Sequence, residues 1–221
     1  MSKKFAVIVF PGSNCDYDAY YALKKTFGIE VEFIWHRENN LKNCTAILIP
    51  GGFSYGDYLR TGAIARFSPI MNSVIKAANK GVPVIGICNG FQILLECGLL
   101  PGALINNKNI KFVSKKVTLK VESNQTIFSK NLNVGDELKM PIAHKQGNYI
   151  ANEDIIQELI DYNRIIFKYE NNPNGSMFDI AGIVNENGNV LGMMPHPERA
   201  CESILGSDDG KLIFESMIGN D

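Results

Sequence analysis

Residues 83–102, PVIGICNGFQILLECGLLPG, decide how the rest of the sequence is interpreted. The stretch begins with a short, continuous apolar run that is typical of a buried strand, and the run ends at Cys88. An amphipathic segment over residues 91–97 follows and predicts a helix, with Gly98 as its terminator. A strand that turns directly into a helix is the unit from which parallel α/β sheets are built.

The same alternation recurs along the N-terminal half of the chain. Short apolar runs predict strands over residues 5–10, 31–35, 46–49 and 82–87, and the segments between them predict helices over residues 18–27 and 70–79. We expect Ser13 or Asn14 to cap the first helix and Gly28 to end it. Strands that are apolar throughout indicate a parallel sheet covered by helices.

After Gly102 the pattern changes toward strands. Further predicted elements are strands over residues 111–122, 138–144, 164–169, 180–185 and 190–194, and helices over residues 153–162 and 209–218. The residues ENGN at 186–189 predict a hairpin turn, and the polar residues 106–109 predict a simple turn. With no internal repeat and no linker, the sequence predicts one α/β domain over residues 1–221. We expect a mixed, mostly parallel sheet flanked by helices and a β-rich C-terminal half.

Composition excludes several classes of protein. The chain has 221 residues, 45% of them hydrophobic, and a formal net charge of -1 with basic and acidic residues intermingled, which disfavours a nucleic-acid or membrane partner. Its N-terminal apolar run is too short for a signal peptide, so we expect a cytoplasmic protein. Five cysteines without a Cys-x-x-Cys pair predict neither a disulfide framework nor a metal site. No Walker motif for binding ATP is present.

The motif GICNG at residues 86–90 has the spacing of a nucleophile elbow in which cysteine replaces serine. Strand and helix approach closely at such a turn, which explains a glycine two residues before and two residues after Cys88. The turn also places Cys88 at the positive end of the following helix, a position that favours the thiolate. A buried structural cysteine is the alternative. The other cysteines lack this setting and are interpreted as structural: Cys15, Cys44, Cys97 and Cys201.

His196 is the candidate general base for this nucleophile. It lies in MPHPER at residues 194–199, where a proline on each side restricts the backbone and holds His196 extended. Side chains two residues apart in an extended chain point the same way, so Glu198 is placed to orient the imidazole. A solvated surface turn is the alternative for this segment alone. Together Cys88, His196 and Glu198 predict a catalytic triad.

An acyl-transfer site also needs hydrogen-bond donors for an oxyanion. The backbone amide of Asn89 follows the nucleophile directly, and the glycine-rich loop PGGFSYGD at residues 50–57 follows a predicted strand. That loop alone could be only a turn. His144, in PIAHKQG at residues 141–147, is a candidate for lining the same cleft, whereas His36 is interpreted as structural or solvated.

Taken together, these motifs resemble the class I glutamine amidotransferases. The resemblance rests on GICNGFQ at residues 86–92, PGGFSYGDYLR at 50–60 and GMMPHPERA at 192–200. More narrowly, the glutaminase subunits of phosphoribosylformylglycinamidine synthases are similar in PGSNCD at residues 11–16, GLLPGAL at 98–104 and PIAH at 141–144. The resemblance spans essentially the whole chain and implies a flavodoxin-like α/β fold.

The resemblance also implies a reaction and its residues. Cys88 would attack the side-chain amide of glutamine, giving a γ-glutamyl thioester and ammonia. His196 would protonate the departing ammonia and then activate water, with Glu198 orienting it. The remaining residues implied to bind the oxyanion or the substrate are Gly52, Phe53, Asn89, Gln92 and His144.

Partners follow from the same resemblance. Ammonia would pass to a large synthetase subunit that uses ATP and Mg²⁺ to amidate formylglycinamide ribonucleotide in purine biosynthesis, and a small accessory subunit would join the complex. The chain itself is expected to need no cofactor. One departure is Gln146, which stands where the family usually has a glutamate; it leaves the predicted triad untouched but speaks against a charge-dependent substrate or subunit contact at this position.

Two other functions fit parts of this pattern. One is another cysteine hydrolase on a similar fold, such as a γ-glutamyl hydrolase or a protease or deglycase of the DJ-1 type. The other is an inactive binding subunit that kept the fold, which the intact set of Cys88, His196 and Glu198 disfavours. Ammonia release from glutamine, compared with cleavage of peptides or folylpolyglutamate, distinguishes the enzymes.

Overall fold

A computed structural model of the chain describes residues 3–219. Its strands are β1 (Lys4–Val9), β2 (Glu30–Trp35), β3 (Ala46–Ile49), β4 (Val84–Ile87), β5 (Ala103–Ile105), β6 (Val113–Val121), β7 (Glu137–His144), β8 (Asn148–Ile150), β9 (Ile165–Tyr169), β10 (Ile180–Val184) and β11 (Val190–Met193). Its α-helices are α1 (Asp16–Tyr21), α2 (Pro69–Ala78), α3 (Asn89–Glu96), α4 (Glu153–Asp161) and α5 (Lys211–Ile218).

Nine of these strands form one mixed sheet in the order β2-β1-β3-β4-β11-β10-β9-β6-β7. The first five strands in this order pair in parallel, and the remaining pairings are antiparallel. The parallel part has the order 2-1-3-4-5 of flavodoxin-like folds, with β11 in the fifth place. The predicted α/β class with a large sheet and flanking helices is confirmed, and the antiparallel strands account for the β-rich C-terminal half.

Burial explains the sequence pattern of the strands. Every residue of β3, β4, β10 and β11 is buried, as expected for central strands that helices or other elements cover on both faces. β7 lies at the edge of the sheet and alternates buried and exposed residues over most of its length. Pro141 lies in this edge strand, where the lack of a backbone N–H is tolerated.

Helix α1 departs from the prediction at its start. It begins at Asp16, and neither Ser13 nor Asn14 caps it, so the predicted cap is wrong. The Ser13 hydroxyl instead accepts a hydrogen bond from the Phe10 amide at 3.2 Å, and Ser13 forms an isolated bridge with Gly52. These residues tie the loop after β1 to the loop after β3, a tertiary contact that local sequence does not reveal.

The remaining differences are small. Helix α1 continues as a π-helical turn over Ala22–Thr26, and Gly28, at φ 66°, follows it as predicted. Strands β5 and β8 were not predicted; they pair with each other in a separate antiparallel sheet. Each is only three residues long, too short for a hydrophobic period to be recognised.

The topology brings four loops together. The loops after β1, β3, β4 and β11 all leave the carboxyl ends of parallel strands, where ligands bind in open α/β sheets. Within residues 3–219, none of the helices combines the length and apolar character needed to span a bilayer.

Candidate active site

Cys88 lies on a strained turn between β4 and α3. Its backbone has φ 52° and ψ −104°, a conformation that L-residues adopt rarely and that is found preferentially at functional sites. A Cβ added at Gly86 would lie 2.7 Å from the Gly90 carbonyl carbon, and one added at Gly90 would lie 2.0 Å from the Ile49 carbonyl oxygen. The predicted steric reason for both glycines is thus confirmed.

His196 and Glu198 meet in the interior beside this turn. The His196 Nδ1 and the Glu198 Oε1 are 2.6 Å apart, and the two residues are 1% and 4% exposed. The His196 amide also donates to the Pro141 carbonyl oxygen at 2.9 Å, which anchors the segment to β7. The burial of both side chains excludes the alternative of a solvated surface turn.

The backbone explanation for this contact needs correction. His196 itself is broadly extended, with φ −102° and ψ 89°. The next three residues, Pro197–Arg199, form a 3₁₀ turn rather than an extended chain. Glu198 therefore reaches the imidazole by folding back across a tight turn.

The environment of His196 favours its charged form. Burial alone would lower the pKa of the imidazole, but the negative charges of Glu198 and of a Cys88 thiolate together raise the pKa well above its ordinary value. The hydrogen bond to Glu198 occupies Nδ1, while Nε2 is buried without a hydrogen-bond partner. A protonated Nε2 is therefore available to a neighbouring reacting group.

Two cavities meet at Cys88. The first, of about 100 Å³, is called the histidine pocket and is lined by Asn14, Cys15, Gly52, Phe53, Cys88, Phe112, Ala143, His196 and Arg199. The second, of about 240 Å³, is called the amide pocket and is lined by Gly52, Phe53, Asp57, Thr61, Cys88, Gln92, Ala143, His144, Lys145 and Gln146. Every residue of the predicted site except Asn89 and Glu198 lines one or both of these cavities.

Asn89 acts from behind the amide pocket. Its side-chain oxygen accepts a hydrogen bond from the Ser54 amide at 3.1 Å, and its side-chain nitrogen donates to the Gln92 Oε1 at 3.0 Å. The Gln92 Nε2 in turn donates to the Gln146 carbonyl oxygen at 2.6 Å. This chain of amides holds the glycine-rich loop, the start of α3 and the loop after β7 in one fixed arrangement.

His144 lines the amide pocket, whereas His196 lines the histidine pocket. Its Nδ1 is 3.1 Å from the Asn107 side-chain oxygen, which also accepts from the Gly147 amide at 3.0 Å. The Asn107 side-chain nitrogen donates to the His144 carbonyl oxygen at 3.0 Å, so its oxygen faces the ring and the His144 Nδ1 must donate. Burial, together with the charge of His196, lowers the pKa of His144 to about 4. His144 is therefore neutral at physiological pH.

Asp57 places a carboxylate in the amide pocket. Burial raises its pKa to about 6, and its Oδ1 is buried without a hydrogen-bond partner. Its backbone has φ 55°, and the neighbouring Tyr55 and Leu59 are also left-handed, at φ 55° and 67°. A loop strained at three non-glycine residues thus holds an unpaired acidic group beside Cys88.

Cys15 lies in the histidine pocket. Arg199 donates a hydrogen bond to its sulfur at 3.1 Å, and the Cys15 sulfur, a His196 nitrogen and a Glu198 oxygen lie within 4.8 Å of one another. Such a trio has the donor types of a transition-metal site, but here Glu198 is already bonded to the imidazole. Cys15, interpreted from the sequence as a structural cysteine, thus lines the same pocket as Cys88 and His196.

Sequence reasoning missed three residues of this site: Cys15, Asp57 and Asn107. Cys15 and Asp57 lie within the stretches PGSNCD and PGGFSYGD, but no local pattern distinguishes them from surface loop residues. Asn107 lies in the polar run 106–109, interpreted as a simple turn, yet its side chain is 1% exposed. All three are brought to the site only by the topology of the sheet.

Comparison with known proteins identifies the family of the chain. A family model of the CobB/CobQ-like glutamine amidotransferase domain matches residues 2–210. The structure of PurLQS from Thermotoga maritima is similar at 44% identity, with a TM-score of 0.91 over 99% of this chain and 98% of that chain. A glutamine amidotransferase from Thermotoga maritima shares the fold at 16% identity, with a TM-score of 0.60 over 98% of this chain and 90% of that chain.

Proposed function

Because this chain belongs to the CobB/CobQ-like glutamine amidotransferase family, we propose that it hydrolyses glutamine through Cys88, His196 and Glu198 and passes the ammonia to a synthetase subunit. The observation that carries the proposal is the placement of Cys88 and His196 on one cavity, with Glu198 2.6 Å from the far side of the imidazole. Nucleophile, proton carrier and orienting carboxylate have the relation that acyl transfer requires.

The first step is attack of the Cys88 thiolate on the side-chain carbonyl carbon of glutamine. The carbonyl oxygen gains negative charge in the tetrahedral intermediate. The backbone amides of Gly52 and Asn89 are the proposed donors to this oxyanion. Gly52 lines both pockets, and Asn89 is the first residue of helix α3, where backbone N–H groups have no partner within the helix.

The second step is release of ammonia. The raised pKa of His196 makes it a proton donor that protonates the departing nitrogen, so the bond from carbon to nitrogen breaks and a γ-glutamyl thioester forms on Cys88. Neutral His196 then takes a proton from water, which attacks the thioester. Glutamate leaves and the Cys88 thiolate and protonated His196 are restored.

The amide pocket is the proposed site for the rest of the substrate. The Gln92 and Asn89 side chains hold its wall, and the exposed ring of Phe53 lies at the boundary of both pockets. Glutamine carries a positive α-ammonium group, and the unpaired Asp57 carboxylate is an acidic partner for it in this pocket. We assign Asp57 to binding that ammonium, because an opposite charge favours the ionised form of a half-buried carboxylate whose pKa burial raises.

The partner is proposed to be the synthetase of phosphoribosylformylglycinamidine synthase, in purine biosynthesis. The similarity to PurLQS supports this choice, because it extends over nearly the full length of both chains. In this complex the synthetase would use ATP and Mg²⁺ to amidate formylglycinamide ribonucleotide with the ammonia. The small accessory subunit belongs to the same proposal.

Replacing the nucleophile tests the function. In a complex reconstituted with the synthetase, Cys88→Ala should abolish glutamine-dependent synthesis and leave synthesis with added ammonium salts intact. Cys97→Ala is the matched control, because Cys97 lines neither pocket, and it should retain both activities. Glutaminase activity in Cys88→Ala at the wild-type rate would overturn the proposal, and so would ATP hydrolysis by this chain alone.

A further inference from the structure

We propose that Cys15 is a resolving cysteine, which forms a reversible disulfide with Cys88 when a peroxide oxidises the nucleophile. The proposal rests on the reactive Cys88 of the proposed function, but its test reads sulfur chemistry rather than glutaminase activity. The juxtaposition that suggests it is two thiols that line one small cavity.

Gly51 keeps the space between the two cysteines open. A Cβ added at Gly51 would lie 3.2 Å from the Cys15 Sγ and 3.4 Å from the Cys88 Cβ. The same Cβ would lie 2.7 Å from the His196 Cε1. The absence of a side chain at Gly51 therefore lets both cysteines and the imidazole border one space.

The surroundings of Cys15 keep it away from solvent and also provide groups that can stabilise its thiolate. Cys15 is 2% exposed, and burial raises the pKa of its thiol, an effect that His196 and Arg199 oppose. The Arg199 guanidinium donates to its sulfur at 3.1 Å, a contact that stabilises the thiolate when the proton leaves. The Cys15 sulfur lies within 4.8 Å of a His196 nitrogen, Cys88 lines the same pocket, and the His196 Nε2 has no hydrogen-bond partner.

The chemistry proceeds in two balanced steps. The Cys88 thiolate attacks one oxygen of hydrogen peroxide, which gives a sulfenic acid on Cys88 and releases hydroxide, so sulfur loses two electrons and the peroxide gains them. The Cys15 thiol then loses its proton, and its sulfur attacks the Cys88 sulfur and displaces the sulfenic hydroxyl as water. In total, two thiols and one peroxide yield one disulfide and two waters.

A disulfide would protect the site as well as inactivate it. Without a second thiol nearby, a sulfenic acid continues to sulfinic and sulfonic acids, of which neither is reversed by ordinary thiols. A disulfide is instead reduced by thiol exchange. Cys15 would thus convert an irreversible loss of activity into a reversible one.

The experiment treats the full chain with increasing hydrogen peroxide and maps its cysteines by mass spectrometry under non-reducing conditions. In the wild type we expect a cross-linked pair of peptides that contain Cys15 and Cys88, loss of two free thiols, and full recovery of both thiols with dithiothreitol. In Cys15→Ser, Cys88 should gain two or three oxygen atoms and should not recover. Cys201→Ser is the matched control, because Cys201 is equally buried but bonds to the Pro197 carbonyl outside the pocket, and it should behave as wild type.

Two results would overturn the proposal. One is a wild-type protein in which Cys88 acquires two oxygen atoms while Cys15 stays reduced and no cross-link forms. The other is cross-linking of Cys88 to a different cysteine. Both are read on the wild type alone, so a folding defect in Cys15→Ser does not obscure them. Failure of the glutaminase assay with Cys88→Ala would leave this mapping unchanged, so the two proposals are tested separately.

Discussion

The two pockets beside Cys88 treat a buried histidine in opposite ways. In the histidine pocket, His196 bonds to the Glu198 carboxylate and its pKa lies well above the ordinary value. In the amide pocket, His144 bonds to the neutral Asn107 amide and its pKa falls to about 4. Both rings are at most 3% exposed, so burial alone does not decide their charge. At His196 the negative charges of Glu198 and Cys88 outweigh the effect of burial on the pKa, whereas at His144 the charge of His196 adds to it.

This difference separates two tasks. A charged imidazole beside a thiolate can deliver a proton to a leaving group, whereas a neutral one serves as a fixed wall of the substrate cavity. Placing a second charged histidine on the same nucleophile would be costly, because the charge of His196 itself disfavours protonation of His144. With the Glu198 carboxylate beside His196 and only the neutral Asn107 amide beside His144, one of the two imidazoles is protonated and the other is neutral.

The largest effect is expected when the carboxylate partner is replaced. Glu198→Gln keeps the size of the side chain but removes the charge that stabilises protonated His196. We expect kcat for glutamine hydrolysis in the complex to fall on the order of 10³-fold, with little change in KM because Glu198 lines neither pocket. A variant that raised KM at unchanged kcat would contradict the division between the two pockets.

The histidine pKa values can be measured directly by NMR titration of the imidazole signals. His144 should remain neutral down to about pH 5, whereas His196 should remain charged well above pH 6.5. The shift of the His144 pKa from its ordinary value of 6.5 to about 4 corresponds to about 3 kcal/mol in favour of the neutral imidazole. Because its folded pKa is below the unfolded one, His144 removes stability as the pH falls from about 6.5 to about 4.

Glu198→Gln serves as the control for that titration. It should lower the pKa of His196, whereas burial should still hold the pKa of His144 below its ordinary value, with only the part due to the charge of His196 lost. Two histidines that titrate together near pH 6.5 in the wild type would show that the contacts do not set the charges.

The parallel half of the fold was predictable because burial leaves a local signature. Both ends of strand β3 were predicted correctly, and Gly86 and Gly90 predicted the turn at Cys88 from the sequence alone. A residue that is required for steric or conformational reasons can be predicted from the sequence when the residues that constrain it are close in the chain.

The amide pocket was less predictable because its contacts are long-range. Asn107 holds His144 across 37 positions, and Gln92 reaches Gln146 across 54. Neither contact follows from a hydrophobic period or a sequence motif, and Asn107 was interpreted as part of a simple turn. Likewise, Ser13 was predicted to cap a helix but bridges to Gly52 instead. What topology brings together, local patterns do not reveal.

The smallest expected effect tests Asp57 as the ammonium partner in the amide pocket. Asp57→Asn should raise KM for glutamine about tenfold to hundredfold, as expected for a lost hydrogen bond to a charged group, and leave kcat nearly unchanged. In the wild type KM should also rise as the pH falls through about 6, because protonated Asp57 carries no charge, and this rise should be absent in the variant.

A substrate without the ammonium group sharpens this test. Glutaramate, which is glutamine without its α-amino group, should be hydrolysed equally by the wild type and by Asp57→Asn; a difference between them would refute the assignment.

Asp57→Asn should increase the thermal stability of the protein while it weakens substrate binding. Burial raises the pKa of Asp57 above its unfolded value of 3.8, so the carboxylate lowers the stability of the fold as the pH rises from about 3.8 to about 6, and the full loss is present above about 6. Asp57→Asn should therefore unfold at a higher temperature than the wild type at pH 7.5, because the charge proposed to hold the substrate is one that the empty pocket disfavours.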